Sequence, residues 1–256
     1  MKFIQAVMSE KYFGIKYTFG KAAIYSTIDE WLLSDKKGYV CVADGVTLSL
    51  SHKDKELKNV LDEAGMVVCD SGWVPLYLRS LYGIRREQYS GSDFLMDAVM
   101  AKKYRMMFIG ASEHTLEALK NNLAKKNERI WEMIFLPLPF LDVAEFDYEK
   151  IAGEINRENP DLIFVSLGMP KQELFMHKLI PHLSRGVLIG VGAAFKFHSG
   201  LANQKRAPRW MIKAKIEWIH RIWSEPKKQL KRCFLIFSSM PVIYWNEYKH
   251  KNKVAV

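Results

Sequence analysis

The sequence predicts an α/β fold in which a mainly parallel sheet carries helices on both faces. Two observations predict it. Short runs that are apolar at nearly every position recur along the chain, and helical stretches separate them. Strands covered on both faces lose the apolar/polar alternation of half-exposed strands. Continuous apolar runs alternating with helices therefore mark parallel βα units.

Tyr39–Val42 (YVCV) is the first strand read from this pattern. Met66–Cys69 (MVVC) is the second, followed by a helical pattern from Val74 to Leu81. Met106–Ile109 (MMFI) leads through Gly110-Ala111-Ser112 into a helix over Glu113–Lys126. Leu162–Ser166 (LIFVS) leads through Leu167–Pro170 into a helix at about Gln172–Leu183, and Val187–Val191 (VLIGV) is the last strong strand. Ligands of such folds bind beyond the carboxyl ends of the strands, so the residues just after each strand are the candidate site.

Asp70 directly follows MVVC. A carboxylate there can act as a general base on a bound hydroxyl, or simply cap the next helix. Gly110, Ala111 and Ser112 join a strand to a helix, where backbone N–H groups can hold a phosphate; an ordinary turn capped by Ser112 is the other reading. GxGxxG and GxxxxGK[ST] patterns are both missing, so neither a dinucleotide fold nor a P-loop is indicated. Ser90-Gly91-Ser92-Asp93 precedes a further apolar helix, with Asp93 expected as its cap. In Gly168-Met169-Pro170-Lys171-Gln172-Glu173 a tight loop opens a helix with three polar side chains. The Gln172 amide suits recognition of a base or sugar, and Lys171 suits phosphate; a solvated helix start is the default. Gly190 and Gly192 permit close backbone approach to a ligand, or serve helix–sheet packing.

No strand-end Asp-x-Asp pair and no His/carboxylate spacing points to a metal, and no covalent nucleophile motif is present. His177, His182, His198 and His220 are scattered and read as surface or structural residues. Cys41, Cys69 and Cys233 form neither a CxxC pair nor a metal cluster, as expected in a reducing cytoplasm. Ser9, Glu10 and Lys11 interrupt the N-terminal apolar run, unlike a signal peptide.

Residues 200–256 hold 13 Lys/Arg against 3 Asp/Glu, whereas residues 1–199 hold 25 of each. The expected division is an α/β core over 1–199 and a basic appendage over 200–256. From Trp210 to Trp223, Met211/Ile212, Ile216, Trp218/Ile219 and Ile222/Trp223 recur at helical spacing, with Arg209, Lys213, Glu217 and His220 as a polar stripe. Lys227, Lys228, Lys231 and Arg232 then precede the apolar run Cys233–Trp245, too short and too interrupted to span a bilayer. Cations and Trp beside an apolar face suit an anionic membrane surface; a helix packed on the body is the competing reading.

The strings NPDLIFVSLGMPKQE, VGAAFKFHSG and RAPRWMIKAKIEWIHRIWSEPKK, in this order, resemble the WecG/TagA/CpsF glycosyltransferase family over roughly Tyr39 to Arg232. The resemblance implies a Rossmann-like core with a C-terminal helical appendage. It implies inverting transfer of a sugar from a UDP-sugar to a polyprenyl-diphosphate-linked sugar, peripherally at the cytoplasmic face of a bacterial membrane. N-acetylmannosamine, N-acetylmannosaminuronic acid or a related hexose would be the donor sugar, and no cofactor or nucleic acid is implied.

By position, Asp70 matches the family's proposed base and Gln172 an active-site Gln. Asp44, Gly110, Ala111, Ser112, Lys171, Gly190 and Gly192 fall around the donor. Arg221, Lys228 and Lys231 fall where appendage cations hold the lipid diphosphate, though Lys lacks the bidentate fork of Arg. Departures cluster near the expected pocket. Asp44 stands where the family often has the Asn of a Thr-x-Asn pattern, Ser71 replaces a Gly, and Lys196 replaces an Asp. A non-catalytic membrane scaffold and a basic RNA-binding protein are the rival readings, and self-association into a homo-oligomer stays open.

Overall fold

A computed structural model describes residues 9–201, 211 and 226–254. The elements, in chain order, are β1 (Glu10–Tyr12), β2 (Ile15–Tyr17), α1 (Lys21–Leu33), β3 (Lys37–Ala43), α2 (Gly45–Ser51), α3 (Lys55–Glu63), β4 (Met66–Cys69), α4 (Trp73–Tyr82) and α5 (Gly91–Ala101). There follow β5 (Met106–Gly110), α6 (Glu113–Ala124), β6 (Ile134–Leu136), α7 (Tyr148–Glu158), β7 (Leu162–Ser166), α8 (Lys171–Leu179), β8 (Gly186–Gly190), α9 (Ala194–His198) and α10 (Pro226–Val254).

Six strands form one parallel sheet in the order β4-β3-β8-β7-β5-β6. Within each central strand, successive side chains enter opposite cores. Tyr39, Cys41, Val67, Ile109, Ile163 and Leu188 join one; Val40, Val68, Phe108, Phe164 and Ile189 join the other. Both faces are thus apolar, and the strands read as continuous runs rather than alternating ones. α2, α3, α4, α7, α8 and α10 cover the first face, and α1, α5, α6 and α9 the second.

The chain therefore leaves β3, β4 and β7 toward one face, and β5 and β8 toward the other. Neighbouring strands diverge at the β3/β8, β8/β7 and β7/β5 boundaries, which opens a crevice along the carboxyl edge of the sheet. The predicted α/β class holds, and all five predicted strands are present. β8 begins and ends one residue early, and the helix after β7 stops at Leu179, where Ile180–His182 tightens into a 3-10 turn.

The β1–β2 hairpin carries no Asn-Gly or Asp-Gly signal. Its turn is Phe13-Gly14, both with positive φ (52° and 76°). A bulky residue rarely adopts that conformation. Here the Phe13 ring is buried, and its N–H donates to the Glu247 carboxylate of α10 at 2.9 Å. Glu247 also accepts from the Tyr82 hydroxyl at 2.8 Å, so a residue near the C-terminus fixes a turn near the N-terminus.

α10 runs for 29 residues, about 43 Å at 1.5 Å per residue. One side packs on the body: Ile236 against Gly45, Ser239 against Ser49 at 2.7 Å, and Met240 and Ile243 in the core. Burying those last two side chains stabilises the contact by about 2 kcal/mol each. Lys251 donates to the carbonyl of Leu81 near its far end. The opposite side exposes Leu230, Phe234, Phe237, Val242, Trp245 and Tyr248. The run Cys233–Trp245 is thus a terminal helix packed on the body along one side, with apolar side chains left exposed along the other. Among the described residues no helix is long and apolar enough to cross a membrane. The predicted helix over Trp210–Trp223 lies, apart from Met211, outside the described residues.

Candidate active site at the carboxyl edge of the sheet

Parallel register brings the predicted residues to one edge. Ala43 pairs with Cys69, Cys41 and Val165 with Gly190, and Gly110 with Ser166. Asp70, Asp44, Gly190–Gly192, Ser166–Gly168 and Gly110–Ser112 therefore follow one another across the strand ends.

Asp70 is half-buried, and its N–H donates to the Ala43 carbonyl at 2.9 Å, extending the β3–β4 ladder by one residue. It is not the cap of the next helix. α4 begins at Trp73 after Gly72, and the Ser71 hydroxyl accepts the Trp73 N–H at 3.3 Å. Asp93 is not a cap either: Ser90 caps α5, accepting the Asp93 N–H at 3.1 Å and donating to its carboxylate at 2.6 Å.

Asp44 caps α2. One carboxylate oxygen accepts from the N–H groups of Val46 (3.0 Å) and Thr47 (2.9 Å) and from the Thr47 hydroxyl (3.0 Å). The other pairs with the Arg232 guanidinium of α10. Both oxygens of the expected donor-binding residue are engaged, one in holding a helix start and one in tying α10 to the strand ends. In the sequence Arg232 stands only as part of a cationic cluster. Its partner lies 188 residues away, and no local pattern reveals such a pairing.

At the end of β5, Gly110 and Ala111 both have positive φ, 97° and 60°. A Cβ on Gly110 would lie 2.7 Å from the Ser166 carbonyl oxygen, so glycine is needed for closeness as well as for conformation. The Ser112 hydroxyl accepts the Thr115 N–H at 3.3 Å and caps the 12-residue α6. The capping reading holds, and the helix start remains at the crevice, where its dipole favours an anion.

Lys171 does not extend toward the crevice as a bare cation. Its ammonium donates to the Leu141 carbonyl and lies 4.8 Å and 5.2 Å from the Phe140 and Phe146 ring centres, stapling that loop to α8. The polar start of α8 is not solvated: Gln172 and Glu173 are both buried. Gln172 accepts the Gly192 N–H at 3.0 Å through its amide oxygen and donates from its amide nitrogen to Glu173 at 2.9 Å. Gly190 makes room for this amide, because a Cβ there would lie 3.0 Å from the Gln172 nitrogen and 2.8 Å from the Met176 methyl. On the other side of Gly192, the Ser166 hydroxyl donates to its carbonyl at 2.6 Å.

Of the expected appendage cations, Lys231 is exposed on α10; Lys196, the residue standing in place of an Asp, is exposed on α9. Arg221 and the side chain of Lys228 lie outside the described residues. Among the described residues, no group of His, Cys, Asp and Glu is placed to hold a metal ion. His177 sits against Tyr39 at 3.3 Å, and His198 lies 2.7 Å from the Ser92 hydroxyl, both in structural settings.

Residues 11–253 match the profile of the Glycosyl transferase WecG/TagA/CpsF family. The chain is 29% identical to an N-acetylglucosaminyldiphosphoundecaprenol N-acetyl-beta-D-mannosaminyltransferase of Bacillus subtilis, over 68% of this chain and 66% of that protein. A protein of the same description from Bacillus spizizenii is 29% identical over 66% of this chain and 64% of its own length. One from Staphylococcus aureus strain MW2 is 28% identical over 59% and 54%. The matched stretch thus spans just under two thirds of the Bacillus relatives and about half of the third.

Burial, with a smaller contribution from Asp44, raises the Glu173 carboxyl from 4.5 to about 7. The folded protein holds this proton where the unfolded chain has released it. The resulting stability is present at low pH and is lost as pH rises from about 4.5 through about 7. Thermal unfolding measured across that range should show wild type losing melting temperature as pH rises, and Glu173→Gln should flatten that slope.

Proposed function

The chain belongs to the WecG/TagA/CpsF glycosyl transferase family, and from that premise we propose that it is an inverting, UDP-sugar-dependent hexosyltransferase. The donor sugar is N-acetylmannosamine, N-acetylmannosaminuronic acid or a related hexose. The acceptor is a sugar on polyprenyl diphosphate, and the product serves bacterial cell-surface polysaccharide assembly. One observation carries the reading: the family match runs through both the strand ends and α10, with Asp70 directly after β4 and the buried Gln172 amide bound to the Gly192 turn. The relatives' description, transfer of N-acetylmannosamine to an N-acetylglucosaminyl-diphospho-undecaprenol, supplies the substrate class.

In this mechanism the acceptor hydroxyl attacks the anomeric carbon as the bond to the UDP oxygen breaks. Asp70 takes the hydroxyl proton, and UDP leaves with the bonding pair on the opposite face. The N–H groups of Gly110–Ser112 at the start of α6 stabilise the diphosphate charge. Gln172 and the Gly190–Gly192 turn position the donor. Arg221, Lys228 and Lys231 hold the acceptor diphosphate.

The exposed apolar side of α10 and the cations around it support peripheral binding at the cytoplasmic membrane face, where the lipid-linked acceptor lies. The full chain should sediment with vesicles containing anionic lipid, less so at high salt. Phe234→Ser with Trp245→Ser should weaken this at least about tenfold without lowering the melting temperature. Equal sedimentation would remove α10 as the binding surface.

Incubation with a panel of UDP-sugars and polyprenyl-diphosphate-linked N-acetylglucosamine, read by mass spectrometry, should give a hexosylated lipid product. Asp70→Asn should lower turnover by roughly 10²–10⁴-fold while UDP affinity is kept. No transfer with any pair, under conditions where a family relative works, would favour the scaffold reading.

A further inference from the structure

Side chains at adjacent helix positions diverge and do not normally meet. Gln172 and Glu173 are adjacent, both buried, and hydrogen-bonded side chain to side chain at 2.9 Å. One Glu173 carboxyl oxygen accepts from Gln172; the other has no partner within the described residues. A buried carboxyl with an unmatched oxygen is costly, and a well-packed apolar residue of similar size is commonly neutral or stabilising in its place.

The two ends of an amide have nearly the same shape and differ only in whether they donate or accept. The Gly192 N–H needs the oxygen end of Gln172, which accepts from it at 3.0 Å. A flipped amide would set an NH₂ group against that N–H. An acceptor behind the nitrogen end acts with the Gly192 N–H against the flip; Glu173 supplies it fully as a carboxylate, and through its carbonyl oxygen when neutral. The amide is further confined by the absence of a side chain at Gly190, and Gly192, at φ 55°, is gripped from its other side by Ser166.

We propose that Glu173 is a positioning residue: it fixes the orientation of the Gln172 amide, which in turn holds the Gly192 turn beside the donor. The functional half of this statement rests on the transferase reading; the structural half does not.

Hydrogen exchange of the Gly192 amide in the full chain tests it without substrate. Glu173→Leu should speed that exchange at least about tenfold, since the amide then loses its orienting acceptor. Its melting temperature should match or exceed that of wild type. Glu173→Gln, which can still present an acceptor, should restore slow exchange. With UDP-sugar and lipid-linked acceptor, turnover should fall at least about tenfold for Glu173→Leu and recover for Glu173→Gln. Gly190→Ala, which pushes the same amide from the other side, should reproduce the fast exchange and serves if Glu173→Leu does not fold. Wild-type exchange in Glu173→Leu, or in Gly190→Ala where the former is unfolded, would overturn the proposal. So would Glu173→Gln behaving as Glu173→Leu. If exchange responds as stated while wild type itself transfers no sugar, the transferase reading fails and the positioning role stands.

Discussion

Neighbouring parallel strands that send the chain to opposite faces of the sheet leave space between them at their carboxyl ends. In this protein that divergence occurs at three successive boundaries, on both sides of β8 and between β7 and β5. Strand pairing sets the order of the residues along the resulting crevice, from Asp70 to Ser112. A carboxylate at one end and a helix N-terminus at the other give the edge its chemical polarity. The first can take a proton, and the second can receive negative charge. Loss of register in any central strand would separate groups that come from chain segments more than a hundred residues apart.

α10 completes this edge from outside the sheet. It is held at both ends: Arg232 pairs with the Asp44 cap beside the crevice, and Glu247 and Lys251 bind the hairpin turn and α4. Between them, Met240 and Ile243 enter the core. The basic segment is therefore not an independent tail along its whole length. Residues 226–254 are part of the packed body, and their apolar surface on the far side is presented in a fixed relation to the strand ends. Under the proposed transferase function, this helix would set the reach from a bilayer-anchored acceptor to the strand ends.

Much of the fold was legible because a doubly covered parallel strand writes an unbroken apolar run. β3, β4, β5, β7 and β8 all do so. β6 has three half-buried residues at the sheet edge, which is too short a signal, and the β1–β2 turn uses Phe13 in a conformation sustained by Glu247, 234 residues away. The strand-end positions were legible, since strand ends follow from strands. The role of each side chain was less so. Lys171 reads as a phosphate ligand but staples a loop. Gly190 reads either as a backbone approach point or as helix–sheet packing, and it does the second, clearing space for Gln172 and Met176 of α8. Asp44 reads as a ligand but caps α2 and holds Arg232. In each case the deciding partner comes from a distant segment, and one-dimensional spacing does not carry it.

A crystal structure of the full chain with UDP tests the placement of chemistry at this edge most directly. The diphosphate should lie against the N–H groups of Gly110–Ser112, with the Gly190–Gly192 turn and Gln172 beside it and Asp70 facing the open side from which an acceptor would approach. UDP bound at another face of the sheet, or bound here with Asp70 walled off from its diphosphate, would contradict this placement.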